Sequence, residues 1–366
     1  MTRAVALIDG EHYAPVVRDA LRALPYEWVG AIMVGGTEKL RGDADYGVPL
    51  VGSFGDAEVV VDLSDEPVLG PAERMRWASR ALAAGLPYVG ADFRFDPPVF
   101  EPFALPSIAV IGTGKRVGKT AVTAHLARLL ARDRDVVIVA MGRGGPPEPD
   151  VIVSPPTVED LVALSRAGRH AASDHLELAA LTGVPTIGCR RAGGGLAGAV
   201  FTSNVAMGAQ LAAERKPDVV IFDGSGAAIP PIAVDRRVLV VGRGQDADAY
   251  LNTYRRLISD VVIEDFELRL QTTAPLEGRV AVFTAGATDI SHLEANVVHV
   301  SSNLANRERL RHDLVEADTY LIELKAAAID VVAEHALTRG IHVVLAANEL
   351  IGDFDEQLLT LAPVAA

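Results

Sequence analysis

SIAVIGTGKRVGKTAV, residues 107–122, runs from an apolar strand through a glycine-rich loop into a helix. Gly118-Lys119-Thr120 closes a phosphate-binding loop. Its glycines let backbone N–H groups fold around phosphates, Lys119 reaches the β and γ oxygens, and the Thr120 hydroxyl is placed for Mg²⁺. A regular Walker A sequence carries glycine where this chain has Thr113, but Gly112 and Gly114 flank that position. Lys115 and Arg116 add two charges inside the loop, near where the deviant Walker A of dimerising ATPases carries its extra lysine; the alternative is a solvated loop face. Gly114, Arg116, Val117, Gly118, Lys119 and Thr120 are therefore the expected nucleotide contacts.

On either side of this loop, apolar runs alternate with helix-length amphipathic segments, the pattern of a parallel α/β sheet. Before it, strands are expected at 4–8, 29–34 and 58–62, with helices near 14–24 and 71–85. The proline-rich bridge DPPVFEPFALP (96–106) then separates this part from the next. After the loop come helix 118–132, strand 135–141, helices near 173–181 and 204–214, and strands 218–223 and 238–242. A last group has strands at 280–286, 297–302, 319–324 and 342–347, with a helix through 325–338. The expected architecture is α/β. A P-loop NTPase domain with a parallel sheet (101–277) is flanked by a small N-terminal βαβ, Rossmann-like domain (1–100) and a small C-terminal α/β unit (278–366).

Composition narrows the class. The chain of 366 residues carries 34 basic against 48 acidic residues, a net charge of −14, which argues against coating nucleic acid. Cys189 is the single cysteine, so no intrachain disulfide forms and a reducing compartment is expected. The apolar run before Asp9 is too short for a signal peptide's core, and the charge-free stretch 192–213 is broken by Gly193, Gly194, Gly195, Gly198 and Gly208. A cytoplasmic location with no membrane partner follows as the expectation. Among the 34 basic residues only Lys39, Lys115, Lys119, Lys216 and Lys325 are lysine, so each is a candidate for a place where a compact ammonium is needed.

Other segments carry chemistry. DVVIFDGSGAAIPP (218–231) ends a strand in Asp223, a candidate for Mg²⁺, and its Gly224-Ser225-Gly226 lets backbone approach a γ-phosphate. AMGRGGPPEPD (140–150) places Arg143 beside two glycines for phosphate, while Glu148 and Asp150 either complete the metal shell or sit in an exposed turn. HAASDH (170–175) gathers His170, Asp174 and His175 as a base and metal neighbourhood without zinc spacing. CRRAGGG (189–195) reads as a donor-rich anion cradle around Arg190 and Arg191, with Cys189 a buried apolar residue rather than a nucleophile. DGEHY (9–13), GGTEKL (35–40) and DLSDEP (62–67) follow strands, so Asp9, Glu11, His12, Lys39, Asp65 and Glu66 either face one crevice or act as turn residues. ELKAAAID (323–330) puts Lys325 just past another strand.

LIDGEHY, GGTEKL, DLSDEP, IGTGKRVGKTAV, VAMGRGGP, HAASDH, CRRAGGG, GSGAAIPP and ELKAAAIDV occur in that order between residues 7 and 331. Together they resemble the cyclic 2,3-diphosphoglycerate synthetase family over nearly the whole chain. The resemblance implies ATP-driven closure of 2,3-diphosphoglycerate into an intramolecular phosphoanhydride, with release of ADP and phosphate. It also implies Mg²⁺, with K⁺ and a homodimer as further expectations. Two phosphomonoesters at roughly −1.5 to −2 each, next to ATP, need several cations. Arg143, Arg190, Arg191, Lys39, Lys115 and Lys119 are available, and Asp9, Glu11, His12 and Lys325 complete the expected substrate contacts. The expected catalytic set is Lys119, Lys115, Arg190, Arg191, Asp174 and His175, and the expected metal set Thr120, Asp223 and Glu148. One departure stands out: only 37 residues, 243–279, separate VLVVG from VAVFTAG, fewer than expected in the family, and in related P-loop folds this region helps hold the nucleotide base. Two other readings use the same loop. One is a phosphoglycerate-type kinase that performs only phosphoryl transfer; the other is a nucleotide-dependent switch in which Lys115 acts across a dimer.

Overall fold

The structure, a computed structural model, describes residues 1–40 and 44–362; the side chain of Lys39 lies outside the described residues. The chain divides into two compact units. One is Met1–Val99 with Gly195–Ala199 and Asp246–Ser259, and the other is Phe100–Gly194 with Val200–Gln245 and the chain from Asp260 onward.

The first unit holds a five-stranded sheet of β1 (Thr2–Ile8), β2 (Tyr26–Met33), β3 (Val59–Asp62), β4 (Tyr88–Val89) and β5 (Arg94–Phe95), in the order β2-β1-β3-β4-β5. Helices α1 (Ala14–Ala23) and α2 (Pro71–Ala83) each start with proline in the first turn, where a missing N–H costs nothing. Val17 and Leu21, one helical turn apart on α1, are buried with Ala6 and Ile8 of β1. Later in the chain, α7 (Asn252–Leu257) packs against α2.

The second unit is built on an eight-stranded sheet: β6 (Ser107–Gly112), β7 (Val136–Gly142), β8 (Asp150–Ile152), β9 (Thr186–Ala192), β10 (Thr202–Ser203), β11 (Val219–Asp223), β12 (Arg236–Val240) and β13 (Val261–Ile263). The order is β10-β9-β7-β11-β6-β12-β13, with β8 paired to β9. The central strands are parallel and buried on both faces, which is why they read as unbroken apolar runs. β6 lies between β11 and β12, so the loop leaving it toward α3 (Lys119–Leu130) emerges beside the carboxyl ends of both. Val110, Ile138 and Ile221 join Val122, Leu126 and Leu130 of α3 in one core. Further helices are α4 (Val158–Arg166), α5 (Asp174–Thr182) and α6 (Val205–Glu214).

A five-stranded sheet in the same unit contains β14 (Glu267–Thr272), β15 (Arg279–Phe283), β16 (Asn296–Ser301), β17 (Thr319–Glu323) and β18 (His342–Ile351), in the order β14-β18-β17-β15-β16. β18 runs parallel to β17 through Ala346 and antiparallel to β14 from Ala346 to Ile351. Helices α8 (Arg307–His312), α9 (Glu334–Thr338) and α10 (Asp355–Leu359) complete this part. No helix among the described residues is long and apolar enough to cross a membrane.

Two local differences from the sequence reading have physical causes. The helix expected through 325–338 begins only at Ala328, as a π-helical stretch to Ala333, because Ala326 takes a positive φ of 36° that no α-helix continues through. Helix α4 was not expected. Its signal is a capping box in which the Thr157 side chain accepts from the Asp160 N–H and the Asp160 carboxylate accepts from the Thr157 N–H.

Candidate active site

The carboxyl ends of β6, β7 and β11 and those of β15 and β17 open onto one cleft of about 770 Å³, lined entirely by residues of the second unit. Strand carboxyl ends are where open α/β sheets bind ligands. The phosphate loop forms one wall. Gly118 sits at φ 94° before α3, and Arg116 holds φ 61°, a conformation that side chains rarely adopt and that turns successive N–H groups inward. A side chain at Gly118 would also meet the Phe266 ring at 2.8 Å. Thr113 shows why the first Walker glycine is dispensable here. Its φ is not positive, and both its N–H, donated to the Val240 carbonyl at 3.1 Å, and its hydroxyl, donated to Gln245 Oε1 at 2.6 Å, tie the loop to the end of β12.

Lys119 is 8% exposed and donates to the Gly114 carbonyl at 2.8 Å. Burial lowers its pKa, opposed by Asp223 and Asp174 and reinforced by Arg143 and Arg191. The two arginines meet at Gly226, whose φ of 62° and lack of a side chain admit the Arg143 guanidinium, which a Cβ would approach to 2.8 Å. Arg191 donates to the Ser225 carbonyl at 2.7 Å and is also held by the Gly193 carbonyl. Desolvation and then Arg143 push its pKa down. Among the described residues no carboxylate lies within salt-bridge distance of Lys119, Arg143 or Arg191. Three cations close together, none of them in a salt bridge and only Lys119 balanced from a distance by Asp223 and Asp174, form a prepared anion site.

Carboxylates lie on the other side. Asp223, 1% exposed, accepts from the Thr123 hydroxyl at 2.8 Å, and burial, with Asp174 adding to it, raises its pKa to about 7. Glu177 of α5, also buried and raised to about 7 by desolvation, forms an ion pair with Lys325. Glu323 accepts from the Ala285 N–H at 2.8 Å and the Asn348 amide at 2.7 Å. No group of three or more His, Cys, Asp or Glu suited to a metal occurs among the described residues. Mg²⁺ held by one or two protein oxygens plus substrate phosphates needs none. Thr120 and Asp223 both line the cleft and fit that mode.

Of the residues singled out from sequence, Lys115, Arg116, Val117, Gly118, Lys119, Thr120, Arg143, His170, Asp174, His175, Asp223, Gly226 and Lys325 line the cleft. Gly114 borders it through the carbonyl that receives Lys119. His175 is nearly closed off, its Nδ1 3.0 Å from Ser173 Oγ and its Nε2 3.7 Å from Asp150; burial lowers its pKa despite Asp150. Arg190 is not brought in. It neighbours Arg191 on β9, where successive side chains point to opposite faces, and it is exposed. Glu148 is exposed away from the cleft, and Asp150 pairs with Arg169 at 2.8 Å. Cys189 is buried, its thiol pushed up to about 12 by burial, and it serves packing.

Asp9, Glu11 and His12 belong to the first unit. The Asp9 carboxylate is fully buried and accepts N–H groups from Glu11, His12 and Asp65 and the His12 ring, so it braces the ends of β1 and β3. The side chain of Lys39, also named from sequence, is among those not described. Glu177, Glu323 and Asn348 were missed as site residues, whereas Ser225 was named only for its backbone. The three reach the cleft through partners far away in sequence, Lys325, Ala285 and Glu323, which local spacing does not reveal.

Comparison with known proteins covers most of the chain. Family models described as the P-loop domain, the C-terminal domain and the N-terminal domain of cyclic 2,3-diphosphoglycerate synthetase match residues 107–270, 262–349 and 3–96. The cyclic 2,3-diphosphoglycerate synthetase of Rubrobacter xylanophilus is 45% identical over 432 aligned positions, covering 99% of this chain and 98% of that one. That of Pyrococcus abyssi is 38% identical, covering 94% and 93%. Since 432 positions exceed 366 residues by 66, at least 66 positions of the Rubrobacter alignment face gaps in this shorter chain. The solved structure of LpxK from Aquifex aeolicus in complex with ATP aligns at 15% identity and a TM-score of 0.44, covering 72% of this chain and 89% of that one.

Proposed function

The chain belongs to the cyclic 2,3-diphosphoglycerate synthetase family, and we propose that it is the ATP-dependent ligase that closes 2,3-diphosphoglycerate into its cyclic phosphoanhydride. The observation that carries this reading is the cluster of cations without salt-bridge partners among the described residues, beside the phosphate loop: Lys119 and Arg143 line the cleft, and Arg191 is held next to them at Ser225 and Gly226. A polyanion with phosphates to spare beyond those of a nucleotide answers that charge.

The γ-phosphoryl group of ATP passes to an oxygen of one substrate phosphate, and ADP leaves. An oxygen of the second substrate phosphate then attacks the phosphorus so activated; the P–O–P ring bond forms and inorganic phosphate departs. No protein nucleophile is required, so the residues act by position and charge. Lys119 faces the β and γ oxygens, with Lys115 and Arg116 at the loop's exposed rim. Arg143 and Arg191 hold the substrate phosphates and oppose their repulsion. His175, neutral at pH 7, and Asp174 orient the groups between them. Thr120 and Asp223 would hold Mg²⁺, which would neutralise phosphate charge. K⁺, a homodimer and a cytoplasmic location accompany this reading, with 1–100, 101–277 and 278–366 as its domains.

The direct test is ³¹P NMR of the purified protein with Mg·ATP and 2,3-diphosphoglycerate. Cyclic diphosphate and inorganic phosphate should appear in equal amounts as ATP is consumed. ATP consumption with only a linear product would leave a kinase, and no consumption would remove the reading. A second expectation concerns protons. Burial holds Asp223 at about 7, so at pH 7 it is partly protonated without ligand, and a cation at its oxygen favours the ionised form. Binding of Mg·ATP should therefore release a fraction of a proton at pH 7 and less above pH 8, where Asp223 is already ionised. Calorimetric titrations in buffers of different ionisation enthalpy measure this. Equal apparent enthalpies at pH 7 would place the metal elsewhere.

A further inference from the structure

The phosphate loop is secured from outside itself, by the turn that follows β12. β12 pairs with β6 up to Val240 opposite Gly112, so this turn stands next to the start of the loop. It consists of Gly242-Arg243-Gly244-Gln245, with Gly244 at φ 71° and the Gln245 N–H donated to the Gly242 carbonyl at 2.9 Å. The chain is thereby folded back, and the Gln245 side chain reaches Thr113 and Gly114. Gly242 must be glycine for this, because a Cβ there would stand 2.9 Å from Gln245 Cδ and 2.8 Å from Val117 Cγ1.

The Thr113 hydroxyl completes the contact. It accepts from the Gly242 N–H at 3.4 Å and donates to Gln245 Oε1 at 2.6 Å, so its proton and a lone pair are both used and each bond polarises the other. Glycine, which a regular Walker A sequence carries here, could make neither bond. The Gln245 side chain is exposed, so packing of the core does not explain its place.

A loop that binds phosphate through its N–H groups gains affinity when those groups converge before the ligand arrives. Lys119 braces the loop from within by donating to the Gly114 carbonyl at 2.8 Å, but a bound phosphate competes for the same ammonium. The Thr113–Gln245 bond uses neither Lys119 nor a loop N–H, so it is a brace that ligand binding does not draw on.

We propose that Gln245 is a positioning residue for nucleotide binding: through the Thr113 hydroxyl it fixes the first residues of the phosphate loop and so presets the loop's N–H groups for phosphate. It touches no reacting atom. This role rests on the reading above only in taking the loop as the phosphate site of a nucleotide.

The test measures Mg·ATP and Mg·tripolyphosphate binding by calorimetry, and thermal unfolding, in the wild type, Thr113→Val, Thr113→Ser, Gln245→Ala and the double variant of Thr113→Val with Gln245→Ala. Valine keeps the shape of threonine and loses the hydroxyl, whereas serine keeps the hydroxyl. Thr113→Val and Gln245→Ala should each weaken both ligands by about fivefold, the scale of one neutral hydrogen bond, and Thr113→Ser should stay within about twofold of the wild type. The double variant should bind about as well as the weaker single one, because both changes remove the same bond. Gln245→Ala should melt within about 2 °C of the wild type, as expected for an exposed side chain. Unchanged affinity in Gln245→Ala, a loss in Thr113→Ser equal to that in Thr113→Val, losses that multiply in the double variant, or weakened binding only where the melting temperature has fallen overturns the proposal. Neither ligand is diphosphoglycerate, so failure of the cyclisation assay and failure here are separate results.

Discussion

Replacing Lys119 by methionine is expected to cut ATP-dependent turnover by on the order of 10²–10³-fold while leaving the melting temperature unchanged or higher. Lys119 is buried, its pKa is lowered mainly by desolvation, and Arg143 and Arg191 add repulsion to it. The folded protein thus holds an ammonium in a place where burial outweighs the attraction of Asp223 and Asp174, and a bound polyphosphate would stabilise it further. Methionine fills much of the same volume without that penalty. Asp223 and Asp174, which favour the ammonium, lose a partner in the variant, and Asp223 can answer by staying protonated. Activity and stability should therefore move independently. Steady-state kinetics with thermal unfolding check both, and normal turnover in the variant would remove Lys119 from the phosphate site.

The same tension between burial and charge explains what the sequence disclosed. The phosphate loop was legible because its chemistry is local: strand, glycines, lysine and helix all lie within 107–122. Asp223 was legible because an acid ending an apolar run is conspicuous. Glu177 was not. In LELAA it looks like an ordinary helical residue, and its importance comes from Lys325, which is 148 positions away. β14 was hidden for a related reason. It is held by antiparallel pairing with the last part of β18, and no feature of ELRLQT announces that partner. Arg190 and Arg191 teach the opposite lesson. Read as a loop, CRRAGGG offers both guanidiniums to one anion. Read as the end of a strand, it offers only one, and TIGC before it is too short and glycine-interrupted to advertise the strand.

Arg191→Lys is expected to lose about tenfold to hundredfold in kcat/KM for diphosphoglycerate, and Arg191→Ala more, with the KM for ATP little changed. Arg191 is fixed by donations to the Ser225 and Gly193 carbonyls, and its guanidinium lies against that of Arg143 at Gly226. A planar fork can keep two carbonyl bonds while presenting further N–H groups to a phosphate. An ammonium on a flexible stem cannot span those acceptors in fixed geometry, so Lys keeps the charge and loses the orientation. Arg143 is exposed and, among the described residues, without a carboxylate partner, so it can shift toward the remaining phosphate when Arg191 is gone. For that reason Arg143→Ala should cost less than Arg191→Ala, and the double variant more than the two single losses combined. Arg190→Ala, on the opposite face of β9, should leave kcat/KM within about twofold, as surface changes away from a site usually do. Full activity in Arg191→Lys, or a loss in Arg190→Ala equal to that in Arg191→Ala, would show that position on the strand does not select the arginine that meets the substrate.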